Sequence, residues 1–69
     1  MIDWNRLNPG EYESFDKRFY ITKSWNRLYG NHWKLYDRID KNRLYIERTL
    51  LSCKLQAERI ILYYSDKPQ

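Results

Sequence analysis

Sixty-nine residues make one domain, and thirteen Lys and Arg against nine Asp and Glu leave a net charge of +4. Seven Tyr, three Trp and two Phe supply apolar area that so short a chain otherwise lacks. The single Cys53 excludes an internal disulfide, no apolar signal segment follows Met1, and no apolar run approaches the ~20 residues of a membrane span, so the expectation is a soluble protein of a reducing, cytoplasmic compartment.

Residues 1–10 read as an N-terminal arm with Trp4 packed back on the domain. The arm closes on Asn8-Pro9-Gly10, where Pro fixes φ and Gly is free to turn left-handed. Glu11 to Ser14 is a short strand candidate, and Phe15-Asp16-Lys17 turns the chain. Arg18 to Ser24 alternates, with Phe19 and Ile21 on one face and Arg18, Tyr20 and Thr22 on the other. Asn26 to Asn31 reads as a loop. His32 to Asp37 alternates again, Trp33 and Leu35 inward, His32, Lys34 and Tyr36 outward. After a turn at Arg38 to Asn42, Arg43 to Arg48 places Leu44 and Ile46 inward and Arg43, Tyr45 and Glu47 outward.

Thr49 has the character of a helix N-cap, and the run that follows lacks Gly and Pro. At 100° per residue, Leu50, Cys53, Ala57, Ile60, Ile61 and Tyr64 form one stripe suited to covering a sheet. The expected fold is α+β: a three- to four-stranded antiparallel β-meander over 11–48, one C-terminal α-helix over 49–64 packed on one face, and a flexible tail over 65–69. Trp-Asn-Arg-Leu recurs at 4–7 and 25–28, but the flanking residues differ, so shared turn chemistry explains it better than a repeat.

Charge is unevenly spread. Lys17 to Tyr36 holds Lys17, Arg18, Lys23, Arg27 and Lys34, six aromatic residues and no acid, whereas residues 1–16 carry Asp3, Glu11, Glu13 and Asp16 against Arg6 alone. A cationic strip threaded with rings suits polyanions, since Lys and Arg meet phosphates while aromatic faces stack on bases.

Trp4, Pro9-Gly10-Glu11-Tyr12, Asp16 before Arg18-Phe19-Tyr20-Ile21, Trp33-Lys34-Leu35-Tyr36-Asp37, and Thr49-Leu50 leading to Cys53-Lys54 and Ala57-Glu58 make an order that resembles small bacteriophage proteins. Such proteins pair a short meander with one C-terminal helix. The resemblance implies a viral origin, and with it the host cell cytoplasm. It transfers no site residues, and Leu51 and Leu55 depart from the charged helices usual in that group.

Nothing in the sequence points to catalysis. His32 and Cys53 fall on opposite sides of the expected sheet, and no phosphate loop, nucleophile elbow, metal-ligand cluster or cofactor motif is present. The expected interface is a basic aromatic sheet face made by Arg18, Tyr20, Lys34, Tyr36, Arg43 and Tyr45, joined by Trp25, Arg27 and Tyr29 from the loop. Its expected partner is nucleic acid. The alternative is a protein-binding inhibitor or adaptor that uses the same Tyr/Trp/Arg surface on a host or viral protein. Leu51, Leu55 and Leu62 lie on the helix face opposite the core stripe and mark an expected homodimer contact, unless Ile2, Trp4 and Leu7 of the arm cover them.

Overall fold

Turns set the architecture. At Asn8-Pro9-Gly10 the chain reverses on a left-handed Gly10 (φ 82°), whose carbonyl accepts the Lys23 amide at 2.8 Å. A side chain there would also meet Lys23 Cβ at 3.3 Å, so the turn needs glycine twice over. The computed structural model describes residues 2–40 and 43–66, with side chains through residue 63. It contains β1 (Trp4–Asn8), β2 (Glu11–Ser14), β3 (Phe19–Asn26), β4 (Gly30–Asp37), β5 (Arg43–Glu47) and α1 (Leu50–Asp66). The five strands form one antiparallel sheet in the order β1-β2-β3-β4-β5.

The class is α+β, as expected, with five strands in place of three to four. The difference is the N-terminal arm, which is itself β1 and pairs Trp4 with Ser14 and Arg6 with Tyr12. Its sequence, Trp-Asn-Arg-Leu-Asn, lacks a clean alternation because only Trp4 reaches the core, its ring centroid 6.4 Å from that of Phe19. The expected loop at Asn26 to Asn31 is a tight hairpin, Asn26 pairing with Gly30. Asn26 Oδ1 accepts the Tyr29 amide at 2.7 Å, and Gly30 supplies the positive φ of 66°. Trp-Asn-Arg-Leu at 4–7 lies wholly within β1, whereas at 25–28 it runs from β3 into the hairpin tip, so it marks no repeat.

Between β2 and β3 the turn is built on buried Ser14, whose hydroxyl donates to Asp16 Oδ1 (2.6 Å) and accepts the Phe19 amide (2.9 Å). Asp16 Oδ1 also accepts the Arg18 amide, and Lys17 takes the left-handed φ of 64° that closes the loop. After β4, the Asp37 carboxylate accepts the amides of Ile39 (3.1 Å) and Asp40 (3.4 Å), an Asx-type turn that sets the entry to β5.

Thr49 caps α1: its Oγ1 accepts the Ser52 amide at 3.0 Å. Cys53, Ala57 and Ile60 are buried against Phe19 and Ile21 of β3 and Leu35 of β4, with Leu50 and Ile61 half-buried at the margins. The helix continues through Asp66, so Ser65 and Asp66 belong to it and not to a tail. The side chain of Tyr64, expected on the buried stripe, and tail residues 67–69 lie outside the described parts.

The alternation in β5 is opposite to expectation. Leu35 pairs with Tyr45, which puts Tyr45 on the helix side against the core, while Leu44 and Ile46 stand on the open face at 43% and 41% exposure. In Arg-Leu-Tyr-Ile-Glu either parity carries apolar side chains. The Asp37 turn chooses between them by making Arg43 the partner of Asp37, and a one-residue change of phase moves every side chain to the other face.

Candidate functional site

The sheet's open face gathers only part of the expected interface. Tyr20 and Tyr36 are direct cross-strand partners with ring centroids 6.0 Å apart, and Lys34 lies beside them opposite Thr22. Tyr45 and Arg43 are on the other side of the sheet, for the register reason given above, with the Arg43 guanidinium 5.5 Å from the Tyr45 ring. Arg18 is not on the open face either. Its Nε and Nη2 each lie 3.1 Å from an oxygen of the buried Asp37, and its guanidinium caps the Phe19 ring at 4.9 Å.

Nor is this face strongly cationic. Pairing of β2 with β3 sets Glu13 opposite Tyr20 and Glu11 opposite Thr22, bringing acids of the N-terminal segment into the aromatic strip. Glu13 accepts from Arg38 at 2.6 Å and pairs with Lys17 at 3.6 Å; the Arg38 hydrogen bond is the main reason its carboxyl ionises below the usual range. Tyr20 donates its hydroxyl to Glu11, which with burial raises the phenol's pKa, and Arg38 lies 5.5 Å from its ring. The sequence hid this neutralisation because it depends on which strand neighbours β3.

His32, expected to be exposed on the open face, is 2% exposed. Its Nδ1 donates to the Gly30 carbonyl at 2.9 Å, the Tyr29 ring packs edge-on at 5.7 Å, and Nε2 is buried without a hydrogen-bond partner among the described residues. Cys53 is wholly buried on the helix side, where burial, and secondarily Glu47, pushes its thiol up to about 12. The two groups lie on opposite sides of the sheet. Among the described residues no group of three His, Cys, Asp or Glu could hold a metal ion, and no helix is long and apolar enough to cross a membrane.

A second basic aromatic surface lies on the helix side, beside the N-terminal half of α1. Arg6 pairs with Tyr12 and Lys23 with Trp33 in the ladder, and the Tyr12 and Trp33 rings pack at 6.2 Å. The Lys54 ammonium caps Tyr12 at 5.2 Å and that of Lys23 caps Trp33 at 5.9 Å. Trp25, two residues beyond Lys23 on the same face, is 64% exposed, and it borders an open cleft of about 560 Å³ with Gly10, Glu11, Lys23 and Ser24. Arg27 stands at the adjoining hairpin tip with Leu28 and Tyr29. Among the described residues, none of Arg6, Lys23, Arg27 and Lys54 makes an ion pair. Of these, Arg6, Tyr12, Lys23 and Lys54 were missed by sequence reasoning. Extending the Phe19/Ile21 parity by one step finds Lys23 on this face.

On α1, Leu51, Leu55 and Leu62 are exposed as expected, and Leu55 and Leu62 border a groove of about 440 Å³ with Ile2 and Ile61. Trp4 points to the core and Leu7 is exposed on β1, so neither covers the strip. Compared with known proteins, the chain matches no protein family, no curated protein and no solved structure.

Proposed function

We propose that this is a non-enzymatic, phage-encoded binding protein that engages single-stranded nucleic acid along the helix-side shelf and the β3–β4 hairpin. One observation carries the reading: Arg6, Lys23 and Lys54, none of them in an ion pair among the described residues, stand on or over the sheet face that carries Tyr12, Trp33 and the exposed Trp25, with unpaired Arg27 at the adjoining hairpin tip. Cations track a phosphate backbone, and a protruding indole offers a platform for a base. The open face is less suited, because its Tyr20 hydroxyl is taken by Glu11 and its Arg38 by Glu13. The viral origin rests on the resemblance described above.

Fluorescence anisotropy with labelled single-stranded DNA and RNA at low salt tests the proposal. Binding that weakens with salt and is lost in Lys23→Ala/Lys54→Ala supports it. No binding to either strand at low salt refutes it.

A protein partner is the second reading, favoured by Leu28. At the hairpin tip this side chain is 81% exposed and offers nothing to a phosphate backbone, whereas with Trp25 and Tyr29 it would fill an apolar pocket on a host or viral protein. Leu28→Ser separates the two readings, since it spares the cations.

A further inference from the structure

Strand β5 is the edge of the sheet: among the described residues it pairs with β4 alone, leaving a row of backbone N–H and C=O groups without a strand partner. Native edges are commonly blunted by charge, proline or a bulge. This one is regular through five residues, and on the open face it carries Leu44 and Ile46, both more than two-fifths exposed. On the helix side it carries Arg43, Tyr45 and Glu47. The order Arg43-Leu44-Tyr45-Ile46-Glu47 complements its own reverse.

We propose that β5 pairs antiparallel with β5 of a second copy of this chain, about a two-fold axis at Tyr45, to make one continuous ten-stranded sheet. In that register Arg43 stands opposite Glu47 of the second copy and Glu47 opposite its Arg43. Leu44 stands opposite Ile46, and the two Tyr45 residues meet at the axis. A two-fold interface requires that residue i meet j and j meet i, and here both the charge pairs and the apolar pairs satisfy that rule. Shifting the register by two residues in either direction breaks both charge pairs.

The surroundings permit the approach. A cleft of about 430 Å³ lined by Arg43, Tyr45, Gln56, Arg59, Ile60 and Tyr63 opens beside the same edge, and pairing brings the two copies' clefts together at the axis. Arg43 reaches Asp40 in its own chain at only 3.8 Å and is largely exposed, so its guanidinium can turn to the facing Glu47. On the open face, the row Tyr20, Tyr36, Leu44 runs on into Ile46 and Lys34 of the second copy, which shields both exposed aliphatic side chains at the seam.

Charge reversal tests the pairing. Light scattering on the wild-type chain at high concentration should give twice 8.7 kDa. Arg43→Glu alone sets Glu against Glu47 at both ends of the interface, Glu47→Arg alone sets Arg against Arg43, and each should weaken dimerisation about tenfold or more. The double variant should restore the dimer, and an equimolar mixture of the two single variants should form a heterodimer. Circular dichroism of each variant checks that the fold is retained, and the mixture rescues the test should either alone be weakly folded. A wild-type mass of 8.7 kDa, or single variants that dimerise as the wild type does, overturns the proposal. A dimer abolished by Leu55→Glu but indifferent to charge reversal overturns it too and gives the interface to the helix strip.

Discussion

Asp37, with none of its surface exposed, grips Arg18 at both ends of its carboxylate, Oδ1 to Nε and Oδ2 to Nη2, each at 3.1 Å. The same Oδ1 accepts the Ile39 amide, so one side chain ties the start of β3 to the turn after β4. Removing one partner of a buried pair leaves an uncompensated charge. Asp37→Ala should therefore cost about 3–5 kcal/mol, and Arg18→Ala a similar amount. Urea unfolding monitored by circular dichroism measures both. A loss below about 1 kcal/mol for either would mean that the pair is not held in solution. Neither change should alter the salt dependence of nucleic-acid binding in variants that remain folded, because this guanidinium is engaged within the fold.

Acid should unfold the β2–β3 corner first. Asp16 ionises below the usual carboxylate range, chiefly because the Ser14 hydroxyl donates to it, and Glu13 does so chiefly through Arg38. A carboxylate whose folded-state pKa is depressed stabilises the fold fully above its unfolded value and loses that contribution as pH falls through the folded one. Thermal midpoints should stay level down to about pH 5 and drop below about pH 4. In Asp16→Asn/Glu13→Gln the acid limb should be shallower. An unchanged limb would assign the acid sensitivity elsewhere.

Cys53 should be inert. With its thiol pushed up to about 12, the thiolate is scarce at any pH where the protein is handled. A disulfide reagent at pH 8 should modify the native chain many-fold more slowly than the chain in denaturant. Fast labelling of the native state would show that α1 lifts from the sheet.

Binding should divide between two kinds of residue. Trp25→Ala should weaken single-strand binding by about 1–3 kcal/mol while leaving the melting temperature nearly unchanged, as for a base-stacking ring. Four phosphate contacts give a log–log salt slope near about −3, at roughly −0.7 per contact, and Lys23→Ala/Lys54→Ala should reduce it by about half. Lys34→Ala should change it little. A larger effect from Lys34 than from Lys23 would return the interface to the open face.

Local signals in the sequence suffice where one element decides the outcome. Thr49 caps the helix, the Cys53/Ala57/Ile60 stripe is buried, and Phe19/Ile21 and Leu35 face it. Trp33 sits half-buried on that same side, against Tyr12. The errors fall where two distant segments decide together. Whether Tyr45 or Leu44 faces the core depends on the Asp37 turn, and the charge of the aromatic strip depends on β2 lying next to β3. Trp4–Asn8 becomes a strand only because Glu11–Ser14 offers it an edge.

The hairpin outruns its neighbours. The β2 ladder ends opposite Thr22 and the β5 ladder opposite Trp33, so the far ends of β3 and β4 are paired chiefly with one another. Trp25, Arg27, Leu28 and Tyr29 thus lie where a substitution disturbs one hairpin and leaves the core under α1 intact. Backbone amides there should exchange with solvent by local opening, well before global unfolding. The body of the protein can therefore keep its sequence while the tip changes its own. Under selection, substitutions can accumulate at this end without passing through unfolded intermediates.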